Sequence, residues 1–292
     1  MLGGGGWRSE TPLPVGRSEV AAAVVRGEIV LVGGYVADGS TSPAVTAYSP
    51  ASGRWRSLPD LPVAVNHPMA AGFRGRLYVA GGYDGVGQAR RSAFVLVRGA
   101  WRALPAMPQA RAAGGAAVVG TKLYVVGGVV PVGNVGRRLA TRTQVLDLVR
   151  LRWTTIPGPT PREHLAVTTA GGRVYALAGR LAGIDTNLTT FQALTPGGGW
   201  RNLPPVPEPR GGTGAAASGA TIVSVGGERP EGTIASVYAY DVMRSRWRRL
   251  PDLPTPRHGL GVAAVGGRVY ALAGGVVPGL SVSTTVESIA VG

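Results

Sequence analysis

Short apolar runs recur along the whole chain. Each is broken by a glycine-containing turn and followed by a second run in which small and bulky residues alternate, as in Arg76-Leu77-Tyr78-Val79-Ala80. Runs of this length, rich in β-branched and aromatic residues and bounded by glycine, predict strand, turn, strand rather than helix. The second run always ends in a doublet of small residues: Gly33-Gly34, Gly81-Gly82, Gly127-Gly128, Ala178-Gly179, Gly226-Gly227 and Ala273-Gly274. A variable polar segment follows, and then a third strand, as at 44–48, 92–96 and 236–240. The fourth strand carries a tryptophan. In five units it closes with Leu58-Pro59, Leu104-Pro105, Ile156-Pro157, Leu203-Pro204 or Leu250-Pro251, where proline ends the hydrogen-bonded ladder.

The pattern is periodic. Trp7, Trp55, Trp101, Trp153, Trp200 and Trp247 are 48, 46, 52, 47 and 47 residues apart, and they are all the tryptophans of the chain. Each doublet begins 25 or 26 residues after its tryptophan, apart from none of the six. Four strands per unit with this Gly-Gly and Trp spacing resemble the Kelch repeat across essentially the whole sequence. The resemblance implies an all-β fold: a six-bladed β-propeller of four-stranded blades, near 16–62, 66–108, 111–159, 162–207, 210–254 and 257–291 plus 5–14. A lone four-stranded sheet cannot bury both faces, whereas blades stacked around an axis bury them against each other. The chain opens inside a Trp strand and stops after a third strand. An N-terminal strand completing the last blade, and a single domain over 1–292, are therefore expected, since pairing the two ends hides two open edges.

Composition removes several classes. There is no cysteine among the 292 residues, which excludes disulfides, thiolate metal sites and a cysteine nucleophile. It also excludes the cysteine-linked copper-radical site of galactose oxidase, another Kelch propeller. The apolar windows 112–136 and 259–280 carry a cation and several glycines, so they are read as strand pairs and no membrane span is expected. The sequence has no signal-peptide pattern at its start and leaves the compartment open. The net charge of +15 arises from 30 Lys and Arg against 15 Asp and Glu, Lys122 being the only lysine. Most of that excess flanks the tryptophans on the outer strands, where charge opposes edge-to-edge pairing, while the loop face is nearly balanced.

The resemblance places the loops after each doublet, and those after each fourth strand, on one face around a central channel, the usual binding face. A second series falls there: Arg17, Asn66, Arg111, Arg162, Arg210 and Arg257, 9 to 11 residues after their tryptophans. Guanidinium forks suit carboxylate, phosphate or sulfate. Features that recur in every blade are more often architecture, however, so bonding to loop carbonyls competes with that role. His67, His164 and His258 depart from the repeat, with Tyr35, Tyr83 and Arg180 beside them as loop candidates. Because His164 lies across the ring from the other two histidines, no shared metal centre is expected. With no phosphate-loop or nucleophile-elbow pattern in the sequence, no cofactor or catalytic residue is expected either.

The leading functional reading is a monomeric, non-catalytic binding or scaffold propeller that takes a protein segment or an anionic small molecule or carbohydrate. The second is a sugar-acid enzyme of the sialate-mutarotase type using arginine, Glu163 and His164. Convergent acid, base and arginine groups would favour that enzyme, whereas a dispersed polar ring would favour binding. A third is a polyanion binder, which 6% aromatic content and core-committed tryptophans disfavour for nucleic acid.

Overall fold

The computed structural model describes residues 6–133 and 136–291. Six four-stranded antiparallel sheets form the blades, and no helix occurs among the described residues. Blade 1 runs Ala21–Val25, Glu28–Val32, Val45–Ser49 and Arg54–Leu58 from the axis outwards. The other five repeat this order, and their innermost strands meet their neighbours around the ring. The chain is a six-bladed β-propeller.

Strand composition follows distance from the axis. Innermost strands such as Ala21–Val25 (AAAVV) and Gly214–Ser218 (GAAAS) are built of small residues, because six strands converge there. A Cβ at Gly214 would lie 2.2 Å from Val262 Cγ2 of the next blade. Second strands are bulkier and almost wholly buried, as in Glu28–Val32 and Thr221–Val225. The apolar core is divided into wedges between blades. One joins Val30 and Val45 to Leu77 and Val79, and another joins Val223 and Val237 to Val269 and Ile289.

The outer rim explains the Trp and Pro positions. Trp7, Trp55, Trp101, Trp153 and Trp247 donate their indole N–H to Pro251, Thr11, Pro59, Pro105 and Pro204 carbonyls of the preceding blade, at 2.7 to 3.0 Å. Trp200 makes no such bond. The fourth strand of the preceding blade, Arg152–Pro157, runs on through Pro157, which pairs with Arg142.

The expected closure is present. Arg8–Ser9 pairs with Val286–Ala290 in the register Arg8 to Ser288 and Ser9 to Glu287, completing the sixth blade. Glu10 secures the seam: its carboxylate accepts from Arg8 Nε at 2.9 Å, from Tyr48 Oη of blade 1 at 3.0 Å, and from Ser288 Oγ. Two segments read as variable loops contain short hairpins instead, Val129–Val132 with Gly136–Leu139 and Glu228–Arg229 with Gly232–Thr233. Positions 134 and 135 of the blade 3 segment lie outside the described residues.

Candidate functional site at the channel mouth

The arginine series does not line the channel. Arg17, Arg111, Arg162, Arg210 and Arg257 are at most 1% exposed, enclosed within their own blades. Each reaches the carbonyl 16 residues ahead, at the first doublet position: Gly33, Gly127, Ala178, Gly226 or Ala273. Most of their remaining donors meet the start of the third strand, carbonyls of the second strand, or their own loop, and Arg111 Nε has no partner. Arg17 bonds Ala44 O and Thr46 Oγ1, Arg162 bonds Gln192 Oε1 at 2.8 Å, and Arg257 bonds Glu287 Oε2 at 2.6 Å. Burial pushes Arg17, Arg111, Arg162 and Arg210 down to about 10, so all four remain cations at neutral pH. A guanidinium with five donors can staple a second strand to a third where the backbone ladder ends, beside its last bond such as Gly33 N to Ala44 O at 3.0 Å, and its charge is offset by carbonyl dipoles. The expectation that these arginines face a ligand is thus corrected to the competing role.

Asn66 is not a member of that series. The residue 16 positions before Gly81 is Val65, which is 3% exposed and packs in the apolar wedge between blades 1 and 2. Asn66 instead matches Ser18, Ala112, Glu163, Gly211 and His258, each bridged to the residue after its blade's doublet. The next residue in every blade forms the mouth itself: Glu19, His67, Ala113, His164, Gly212 and Gly259, all with φ between 50° and 65°. Backbone bonds link them from blade to blade, from His67 N to Glu19 O at 2.9 Å, His164 N to Ala113 O at 2.8 Å, and Gly259 N to Gly212 O at 2.8 Å. Left-handed backbone costs a residue with a Cβ roughly 1–2 kcal/mol. Here the ring of inter-blade bonds enforces it at four positions that are not glycine.

That conformation turns three side chains into one point over the axis. His67 Nε2 lies 3.0 Å from Glu19 Oε2 and 3.0 Å from His164 Nε2. His67 Nδ1 faces Asn66 Oδ1 at 2.7 Å, while Asn66 Nδ2 donates to Thr41 Oγ1 at 2.9 Å. His258 Nδ1 reaches Glu19 Oε1 at 3.2 Å, and its Nε2 lies 3.1 Å from Val277 O. Glu163, with a side chain only 2% exposed, places Oε1 3.5 Å from His164 Nδ1. Neither Glu163 oxygen, nor His164 Nδ1, has a hydrogen-bond partner. The inference that the histidines are too far apart for a common centre fails because the mouth is narrow enough for residues of blades 2 and 4 to touch.

Electrostatics separate the members of the cluster. Burial opposes ionisation of Glu19, but its contacts with His67 and His258 outweigh it and hold the carboxyl well below the usual range. Burial likewise opposes a charged Glu163, and contact with His164 together with Arg137 and Arg180 still lowers it. His164 is lowered by burial, which favours the neutral ring. His258 is raised: burial acts against it, and Glu19 with Glu228 prevails.

Around this centre the loop candidates divide. Arg180 is 8% exposed and bound to Glu228 Oε1 at 2.8 Å, so it buttresses the rim. Tyr35 and Tyr83 stand edge-on to the His67 ring, with centroids 6.0 and 5.6 Å away. Together with Gln88, Val129, Pro131 and Arg137 they line a pocket of about 270 Å³ beside the cluster. Arg137 has a side chain 57% exposed and donates to Tyr83 Oη at 3.3 Å.

Six four-stranded blades, five of them tied by indole N–H bonds to carbonyls of the preceding blade, make a repeat propeller, a fold that supports a generic binding or scaffold role. The Kelch motif matches residues 16–62 and 209–254, the first and fifth blades, and the other four carry the same strand order, doublet and tryptophan. The chain is a six-bladed propeller with Kelch motifs in its first and fifth blades. No curated protein sequence matches it.

Proposed function

We propose that this propeller is a binding module whose ligand presents a carboxylate or similar anion to Arg137 between Tyr35 and Tyr83 at the channel mouth. The observation that carries the reading is the pocket of about 270 Å³ with two tyrosines in its wall and a half-exposed guanidinium at its edge. The series arginines, by contrast, are enclosed inside the blades. Aromatic walls with one convergent cation are the usual make-up of a small-ligand site, and an acidic side chain of a protein segment has the same chemistry. The balanced charge of this face argues against a broad polyanion.

The test is a melting-temperature screen with sugar acids and acidic peptides. A ligand that stabilises the protein should lose its effect in Arg137→Ala and keep it in Arg229→Ala, whose arginine pairs with Glu208 elsewhere on the rim. Retention of the shift in Arg137→Ala would move the site away from this pocket.

A second reading shares the site. The convergence of Glu19, His67, His164 and Glu163 is the arrangement that would favour a sugar-acid enzyme over a plain binding ring, since a neutral imidazole beside carboxylates can accept and return a proton. Saturation-transfer NMR on anomers of an acidic sugar separates the two. Accelerated exchange that disappears in His164→Asn supports catalysis, and exchange at the uncatalysed rate leaves binding alone.

A further inference from the structure

We infer that Glu19, His67 and His164 form a binding site for a divalent transition-metal ion of the zinc type, set on the propeller axis. The inference does not depend on the Arg137 pocket. Glu19 Oε2, His67 Nε2 and His164 Nε2 all lie within 4.8 Å of one another, contributed by blades 1, 2 and 4. Two imidazole nitrogens 3.0 Å apart can both stand roughly 2.0–2.1 Å from one ion, the usual zinc–nitrogen distance. Two imidazoles and a carboxylate are a borderline donor set that suits zinc, with neighbouring late first-row metals as competitors.

Hydrogen-bond accounting around the three atoms points the same way. Asn66 Oδ1 is a natural acceptor for the Nδ1–H of His67, which leaves Nε2 to offer its lone pair. In that tautomer, and with the His164 proton on Nδ1 beside Glu163, the lone pair faces a carboxylate oxygen and a second imidazole lone pair, so three acceptors converge on one point. A cation there satisfies all of them at once.

The surroundings have the form of a supporting shell. Glu163 holds two buried oxygens with no hydrogen-bond partner, one of them 3.5 Å from the equally unpartnered His164 Nδ1. A small ring rotation would complete a carboxylate–imidazole–metal relay, the arrangement that fixes tautomer and orientation in metal sites. His258 holds the other oxygen of Glu19. The backbone ring fixes all three ligand-bearing residues before any ion arrives. Ala113, Gly212 and Gly259 fill the remaining ring positions with no side chain long enough to coordinate. The fourth coordination position is therefore left to water or to an anion entering from the mouth, as in open rather than structural zinc sites.

Wild-type protein stripped with a chelator and titrated with zinc sulfate by calorimetry should bind one ion. Cobalt(II) in its place should give the visible absorption of a four- or five-coordinate nitrogen-ligated centre. His67→Asn and His164→Asn, which keep a residue tolerant of left-handed backbone, should each weaken zinc by about 100-fold or more. Asn66→Ala should weaken it by about 10–100-fold through the supporting shell. Arg229→Ala, whose arginine pairs with Glu208 away from the axis, should leave zinc affinity unchanged. Absence of zinc binding in folded wild-type protein overturns the proposal. So does undiminished binding in the His67→Asn/His164→Asn double variant, or a cobalt spectrum of an octahedral, water-rich ion.

Discussion

Arg162 and His164 stand two residues apart in one loop and end in opposite settings, and the same contrast separates Arg17 from Glu19. The arginine turns into its own blade, is fully buried, and spends its donors on carbonyls and third-strand side chains. The residue two places on turns to the axis and meets residues from other blades. The first position is nearly constant around the ring, and the second reads Glu, His, Ala, His, Gly, Gly. Constancy marks what every blade needs to hold its second strand to its third. Variation marks where six copies of one backbone position have been given different chemistry at a single place.

The sharpest way to break that contrast is at Arg257, which forms a buried pair with Glu287 at 2.6 Å. Arg257→Ala leaves a carboxylate that is 3% exposed without its cation, a loss that costs about 3–5 kcal/mol. The urea midpoint should fall accordingly, and a loss below about 1 kcal/mol would mean that the arginine is not an internal staple. Arg111→Ala should cost less, about 1–3 kcal/mol, because Arg111 meets only the carbonyls of Gly127 and Arg142 and leaves no buried acid behind. Equal losses at the two sites would show that the ion pair adds nothing beyond the carbonyl bonds.

How much of this was legible in the sequence follows the same division. The tryptophan period, the doublets and the incomplete end strands specify the blades and their closure, since each reports a local requirement that repeats. The doublets even explain their own exceptions. Their first position takes φ between 54° and 68°, which Ala178 and Ala273 tolerate, whereas the second reaches 80° to 127° and is glycine every time. The arginine role could also have been read from the constant 16-residue interval to the doublet, which admits Val65 and excludes Asn66. Convergence of His67 with His164 could not. It depends on the channel radius and on left-handed backbone at six positions, and neither leaves a mark in a linear spacing. The available signal was the irregularity itself, a run of Glu, His, Ala, His, Gly and Gly at equivalent places.

The seam between first and last strands offers a pH test of a residue outside both series. Burial opposes charge on Glu10, but its bonds from Ser288, Arg8 and Tyr48 outweigh that and lower its pKa from the ordinary carboxylate value. A carboxyl lowered in the folded state stabilises the fold above its unfolded pKa, and that contribution is lost as pH falls through the folded value. Below about pH 4.5, wild-type stability should therefore decline in part through this residue. Glu10→Gln should be less stable at neutral pH and show a shallower acid decline. An identical acid slope in both proteins would remove the seam carboxylate from the explanation.

The smallest expected effect bears hardest on the contrast. If the axis-facing positions carry chemistry rather than architecture, His67→Asn combined with His164→Asn should change metal-free stability by less than about 1 kcal/mol, because His258 still holds Glu19 and asparagine keeps a polar donor at each place. Asn accepts left-handed backbone, so the inter-blade bonds at Glu19 O and Ala113 O can persist. The variant also separates two ideas that the geometry alone leaves joined. A double variant as unstable as Arg111→Ala would make the histidines keystones of the ring, their meeting over the axis a packing device. A variant of wild-type midpoint that has lost zinc would show that the ring stands on its backbone, with its side chains available for a ligand.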